Sequence, residues 1–192
     1  MHLPVLPERV PRRESPFWRW VGRTVLGSFG WRIEGDLPNL TKFVIAVAPH
    51  TSNWDFVFGA ATMFALDIRL AFIGKHTIFV WPFSTVLRWM GGIPIDRAAA
   101  QGVVAESVRA FRAAGERVLV IAPEGTRRRV EHFRTGFLHI ARGAGVPVVL
   151  VALDYGHKCV RLGPTIEPGE DVEADRDRVE AHFRPIHGKH PR

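Results

Sequence analysis

Three short runs of nearly unbroken apolar, largely β-branched sequence constrain this chain more than any other feature: FVIAVAP (43–49), RVLVIAP (117–123) and VPVVLVAL (146–153). A strand with one face in water alternates polar and apolar residues, so continuous runs of this length read as strands covered on both faces. RLAFIGK (69–75), IPI (93–95) and KCVRL (158–162) read as further strands. Between them the apolar spacing is helical, over 54–66, 83–90, 101–114, 137–142 and 171–183. This alternation predicts a single α/β domain with a mostly parallel central sheet flanked by helices. A length of 192 residues suits one such domain. In sheets of this kind ligands bind beyond the carboxyl ends of the strands, which directs attention to AVAP-HTSNWD and VIAP-EGTRRR.

Ahead of the sheet, the Pro- and Arg-rich opening to Pro16 reads as an irregular arm, and residues 17–31 as an amphipathic helix. Phe17, Val21, Val25, Phe29 and the tryptophans Trp18, Trp20 and Trp31 fall on one broad arc, with Arg19 and Arg23 opposite. Such an arc either packs on the domain or anchors the chain at a lipid interface. Residues 1–35 are accordingly expected to form a basic arm and membrane-association helix, and residues 36–192 the domain that carries the chemistry.

Lys and Arg number 26 against 19 Asp and Glu, a net charge of +7, so partners carrying negative charge come first. Only Lys42, Lys75, Lys158 and Lys189 are lysines, and arginine favours bidentate contact with phosphate or carboxylate. Acids crowd into 167–180, which concentrates the positive charge in the N-terminal arm and the loop after residue 123. The lone Cys159 excludes an internal disulfide, a CxxC redox pair and a thiolate zinc cluster. Uncharged stretches such as 56–66 and 76–87 fall short of the ~20 residues a spanning helix needs. The first residues carry prolines and acids where a signal peptide is apolar. No serine lies in G-x-S-x-G, and no Walker A, H-E-x-x-H or dinucleotide loop occurs.

The residues left to carry chemistry are few. His50 sits at a strand end and Asp55 in the first turn of the next helix, a spacing that can bring the carboxylate onto the imidazole. Such a contact sets the ring tautomer and stabilises an imidazolium. Without a protein nucleophile, the pair is suited to deprotonating a hydroxyl that a substrate supplies. After the third strong strand, Glu124-Gly125-Thr126-Arg127 combines a glycine that permits a tight turn with cations for a phosphate, continued by Arg128, Arg129 and Arg134. GGIPIDR adds Asp96 and Arg97.

In this order the segments resemble the glycerolipid acyltransferase family, typified by the 1-acylglycerol-3-phosphate acyltransferases. The family's four blocks correspond to HTSNWD (His50, Ser52, Asp55), GGIPIDR (Gly92 to Arg97), APEGTR (Pro123 to Arg127) and VPVV (Val146, Pro147), and FRTGF (133–137) is similar to the segment after the third. The resemblance implies an O-acyltransferase that moves a fatty acyl group from acyl-CoA or acyl-carrier protein to the free hydroxyl of a lysophospholipid, giving phosphatidate from 1-acylglycerol-3-phosphate. It implies His50 as general base, Asp55 as its orienting partner, and Arg127 on the acceptor's phosphate. Glu124, Gly125 and Thr126 would shape that pocket, with Arg97 and Lys75 beside it. The acyl thioester is a co-substrate, and neither a resident cofactor nor a metal is implied.

With such substrates the helix near the N-terminus acquires a purpose, with Trp18, Trp20, Arg19 and Arg23 as the expected contacts to an anionic membrane. The expected location is cytoplasmic, peripheral on the inner face of the cell membrane, and nucleic acid is not an expected partner. Two other readings stay open. One is a metal-dependent hydrolase using His50 and Asp55 with His76, His132 or His139; the other is a protein that binds anionic lipid without chemistry. Within the acyltransferase reading, another lysolipid such as lyso-ornithine lipid is the alternative acceptor.

Overall fold

The three apolar runs lie together at the centre of the sheet. In the computed structural model, which describes residues 3–95, 100–128 and 130–190, they form β2 (Lys42–Ala48), β5 (Arg117–Ile121) and β6 (Val148–Asp154). Strand β2 is hydrogen-bonded in parallel to β5 on one side and β6 on the other. All seven residues of β6 are buried, as its unbroken apolar sequence requires. Around this centre stand β1 (Arg32–Gly35), β3 (Ala71–Lys75), β4 (Gly92–Ile95) and β7 (Cys159–Ile166), giving the seven-stranded order β1-β7-β6-β2-β5-β3-β4. Only the β6–β7 pair is antiparallel.

Helices cover both faces. Along β2 the side chains alternate: Phe43 and Ile45 join a core beneath α1 (Pro16–Ser28) and α2 (Trp54–Ala65), while Val44, Ala46 and Ala48 join the opposite core. That second core is closed by α4 (Ala100–Ala113), α5 (Gly136–Ala144) and α6 (Val172–Phe183). A short helix, α3 (Phe83–Trp89), leads into β4.

Three expectations change. The first helix ends at Ser28, so Trp31 is not on its arc but in the core, stacked on Phe58 at 4.2 Å. Trp18 also turns inward, stacked on Phe64 and lying against Trp89. The face that docks carries Gly22 and the fully buried Leu26. Gly22 is required there: a Cβ would stand 2.4 Å from the Ala65 nitrogen and 2.5 Å from the Ala61 oxygen. A helix of four-residue periodicity cannot hide every aromatic, and Phe17 and Trp20 are left in solvent. The described part of this stretch shares the domain's core, to which Leu6, Val10, Leu26, Trp31 and Ile33 all contribute. Last, β1 has no counterpart in the expected strands; as a four-residue edge element with one buried side chain, it carries no apolar run.

Candidate active site

Because β2 and β5 are in register, with Ala46 beside Ile121, the loops that follow them emerge side by side at the carboxyl edge. His50 and the Glu124–Arg128 segment thus meet although far apart in sequence. Asp55 lies in the first turn of α2, where the helix dipole favours a carboxylate. Its Oδ2 accepts the backbone N–H groups of Thr51 (2.6 Å) and Ser52 (2.7 Å) and stands 3.2 Å from His50 Nδ1. Its Oδ1 accepts the Tyr155 hydroxyl at 2.6 Å.

Burial alone would push the Asp55 carboxyl up, but the hydrogen bonds from His50, Tyr155, Ser52 and Thr51 outweigh it and hold the group below its ordinary value. An ionised carboxylate only accepts, so the imidazole carries its proton on Nδ1 and keeps Nε2 free as a base. The Asp55 side chain is 1% exposed and that of His50 26%, which leaves the base accessible and its partner shielded.

The second cluster has two layers. Glu124 is buried, and its Oε1 accepts the His50 N–H at 2.8 Å, so this carboxylate braces the loop that carries the base. Gly125 adopts φ +65° with the Arg134 side chain across it; a Cβ would stand 2.9 Å from Arg134 Cδ and Nε. Thr126 Oγ1 accepts the Arg128 N–H at 3.3 Å. Lys75, Arg127, Arg128 and Arg134 are exposed, line one cavity with His50 and Asp55, and have no ion-pair partner among the described residues. Arg97 and Arg129 lie outside the described residues.

That cavity measures about 980 Å³. Strands β3 and β5 pair at Ala71–Leu119 and Phe72–Val120, and beyond that pairing Gly74, Lys75, Ala122 and Pro123 line the cavity. From this cationic mouth the space runs between apolar walls that include Val47, Gly59, Met63, Phe72 and Met90. At Gly59 nothing lies within 4 Å of where a Cβ would be, so the helix adds room to the cavity.

Among the described residues no third metal ligand joins His50 and Asp55; the one metal-competent group, His132, Asp177 and Glu180, excludes both. His76 stands instead in a short 3₁₀ turn after β3, and His139 on α5. No side-chain hydroxyl or thiol among the described residues hydrogen-bonds the His50 ring, and Ser52 Oγ accepts the Trp54 N–H. Two contributors escaped the sequence reading. Tyr155 is the chain's single tyrosine and stands one residue after an apolar run, just past the carboxyl end of β6, a signal that was present. The tail at 187–190 packs on Thr51 and Tyr155 and had no signal.

Comparison with known proteins places the chain in a family. The profile of the Acyltransferase family matches residues 32–154. The 1-acyl-sn-glycerol-3-phosphate acyltransferase of Haemophilus influenzae is 29% identical over 154 residues, covering 75% of this chain and 62% of its own length. The enzyme of the same name from Escherichia coli is 31% identical over 156 residues, covering 76% and 61%. The chain therefore spans about three-fifths of the length of these two relatives. The Salmonella typhimurium protein of that name aligns more fully, 31% identical with 93% of this chain and 80% of its own length covered. The crystal structure of the 1-acyl-sn-glycerophosphate acyltransferase PlsC from Thermotoga maritima superposes with a TM-score of 0.61 at 17% identity, covering 90% of this chain and 80% of that one. The fold is thus shared with a solved acyltransferase, and, with the family profile matched over more than half of its residues, the chain belongs to the Acyltransferase family.

Proposed function

We propose that this protein transfers an acyl group from an acyl thioester, acyl-CoA or acyl-carrier protein, to the free hydroxyl of a lysophospholipid, with 1-acylglycerol-3-phosphate as acceptor and phosphatidate as product. One observation carries the reading: a shielded His–Asp pair opens on a large apolar cavity whose mouth presents cations with no ion-pair partner among the described residues. His50 Nε2 takes the acceptor's hydroxyl proton as that oxygen attacks the thioester carbonyl. Asp55 stabilises the resulting imidazolium through Nδ1. When the tetrahedral intermediate collapses, the C–S bond breaks and the proton passes to the departing sulfur, leaving an ester and a free thiol. Lys75, Arg127, Arg128 and Arg134 suit an acceptor phosphate, and the apolar walls suit an acyl chain.

We also propose peripheral association with the cytoplasmic face of an anionic membrane. Among the described residues no helix is long and apolar enough to cross a bilayer. The supporting surface is wider than the first helix. Phe17 and Trp20 are exposed on α1, and Trp18 links them through its contact with Trp89 to α3 and the turn before it, where Phe83 is 65% and Trp81 86% exposed. Phe83 and Val86 are exposed and also line the cavity, so this apolar rim borders the route to the site. Because Leu26 and Trp31 belong to the core, surface substitution and not deletion is the way to probe it. Trp81→Ala with Phe83→Ala is expected to reduce sedimentation with anionic liposomes several-fold; unchanged binding would move the contact elsewhere.

The test of the reaction is an acceptor panel of lysophosphatidate, lyso-ornithine lipid and neutral lysolipids with each thioester donor, scored by product mass. Phosphatidate formation is the expected result. Acylation of lyso-ornithine lipid alone would replace the acceptor, and no transfer to any lysolipid would overturn the reading.

A further inference from the structure

Tyr155 follows the last residue of β6, the strand beside β2, so its side chain reaches the His50 loop from the neighbouring strand end. The contacts to Asp55 are divided between its oxygens. Oδ2 receives Thr51 N–H, Ser52 N–H and His50 Nδ1, and Oδ1 receives the Tyr155 hydroxyl at 2.6 Å. The terminal torsion of an aspartate is soft, so contacts at one oxygen alone leave the carboxylate plane free to turn. A donor on the other oxygen fixes that plane. We propose that Tyr155 is a positioning residue for the His50–Asp55 pair, holding the carboxylate in the orientation that keeps His50 Nε2 available as a base; this rests on the acyl-transfer reading above.

Two further features make Tyr155 suited to the role. Its ring is clamped edge-on by Trp31 at 4.9 Å and by Phe58 at 5.9 Å, and its backbone N–H donates to the His187 carbonyl at 2.9 Å. Two residues on, Lys189 N–H donates to Thr51 Oγ1 at 3.1 Å, so the same tail secures both the tyrosine and the loop it supports. Tyr155 also stands outside the cavity wall that includes His50 and Asp55, so it acts through the carboxylate and not on a substrate. Burial and the adjacent Asp55 raise the phenol well above its ordinary value, which keeps it a donor throughout the working pH range.

Among the described residues, the charged groups around the pair are Glu124, whose Oε1 accepts the His50 N–H, Lys75, Arg127, Arg128 and Arg134, which line the same cavity, and Lys189 on the tail, whose ammonium lies over the Trp54 ring. A change at the phenol alters none of them. Tyr155→Phe keeps the ring between Trp31 and Phe58 and removes one hydroxyl. It is expected to lower kcat roughly tenfold, leave both KM values in place, and move the acid limb of kcat/KM to higher pH. The shift follows because Asp55, without its phenolic donor, directs more negative charge at the imidazole and makes it harder to deprotonate.

Since the chain has one tyrosine, growth on 3-fluorotyrosine modifies this position alone. The more acidic phenol donates more strongly, and the acid limb is expected to move to lower pH. Opposite shifts in the two proteins support the assignment. A fall in thermal midpoint with kcat and the acid limb unmoved would make Tyr155 a packing residue only and overturn it, as would no change at all. His50→Ala in the same assay separates the levels: turnover retained there defeats the underlying mechanism and this proposal with it. Loss there beside an unaltered Tyr155→Phe defeats this proposal alone.

Discussion

Among the described residues two His–Asp contacts of nearly the same kind occur, and the difference between them is what sets one apart as the candidate site. His50 Nδ1 lies 3.2 Å from Asp55 Oδ2, and His157 Nδ1 lies 2.8 Å from Asp154 Oδ2. Both carboxylates are buried, and both are held below their ordinary value by hydrogen bonds that outweigh burial. Their surroundings diverge. Asp154 also pairs with Arg161 at 2.9 Å, so its charge is already matched, and its histidine stands 59% exposed in the turn before β7 with no part in the cavity. Among the described residues Asp55 has only neutral donors besides His50, so its charge is directed at the imidazole. A histidine beside an aspartate is a local event; a base needs an unmatched counter-charge and a cavity.

The sharpest way to break this comparison is to remove each ring in turn. His50→Ala is expected to reduce turnover by about 10³-fold or more with circular dichroism unchanged, measured as thiol release from the donor. Asp55→Asn keeps the shape and removes the charge, and a loss on the order of 10² to 10⁴ in kcat is expected from the same assay. At the other pair the effect moves from rate to stability. Asp154→Asn is expected to lose about 1–3 kcal/mol in urea unfolding at neutral pH. The sign of its pH dependence follows from a depressed carboxyl: the contribution is full above the unfolded value near about 4 and is lost as pH falls through the lower folded value. Unfolding midpoints should therefore fall less steeply with acid in Asp154→Asn than in the unaltered protein.

A smaller effect is expected at the cavity mouth. Arg127→Ala should raise KM for lysophosphatidate roughly tenfold while sparing a lysolipid without a phosphate monoester, as read from initial rates. The smallest is His157→Ala, whose exposed ring is expected to change turnover by less than about twofold, in line with the small worth of exposed ion pairs. A large loss of turnover there would erase the distinction between the two pairs.

Much of this was legible in the sequence. The apolar runs 43–49, 117–123 and 146–153 stand where β2, β5 and β6 stand, because a strand covered on both faces has no polar position to spare. His50 and Asp55 were readable as a pair because four intervening residues turn into a helix, which is local geometry. The first helix was less legible. Seven apolar residues on one arc give the period of the helix but not its docking face, which is centred on Gly22 and Leu26, outside that arc. Strand β1 was not legible, since its pairing with β7 comes from the opposite end of the chain and leaves one buried residue as its trace.

By itself, then, the sequence determined the class of fold, the order along the chain of every strand but β1, and the local pairing of His50 with Asp55. Those follow from periodicity and from contacts within a turn or two. Only the tertiary structure decided that Glu124 braces the His50 backbone, that Trp18 and Trp31 face inward, and that Tyr155 reaches Asp55 from 100 residues away. Each depends on which strand lies beside which, and strand neighbours are chosen by packing of the whole sheet, a property no local window of sequence contains.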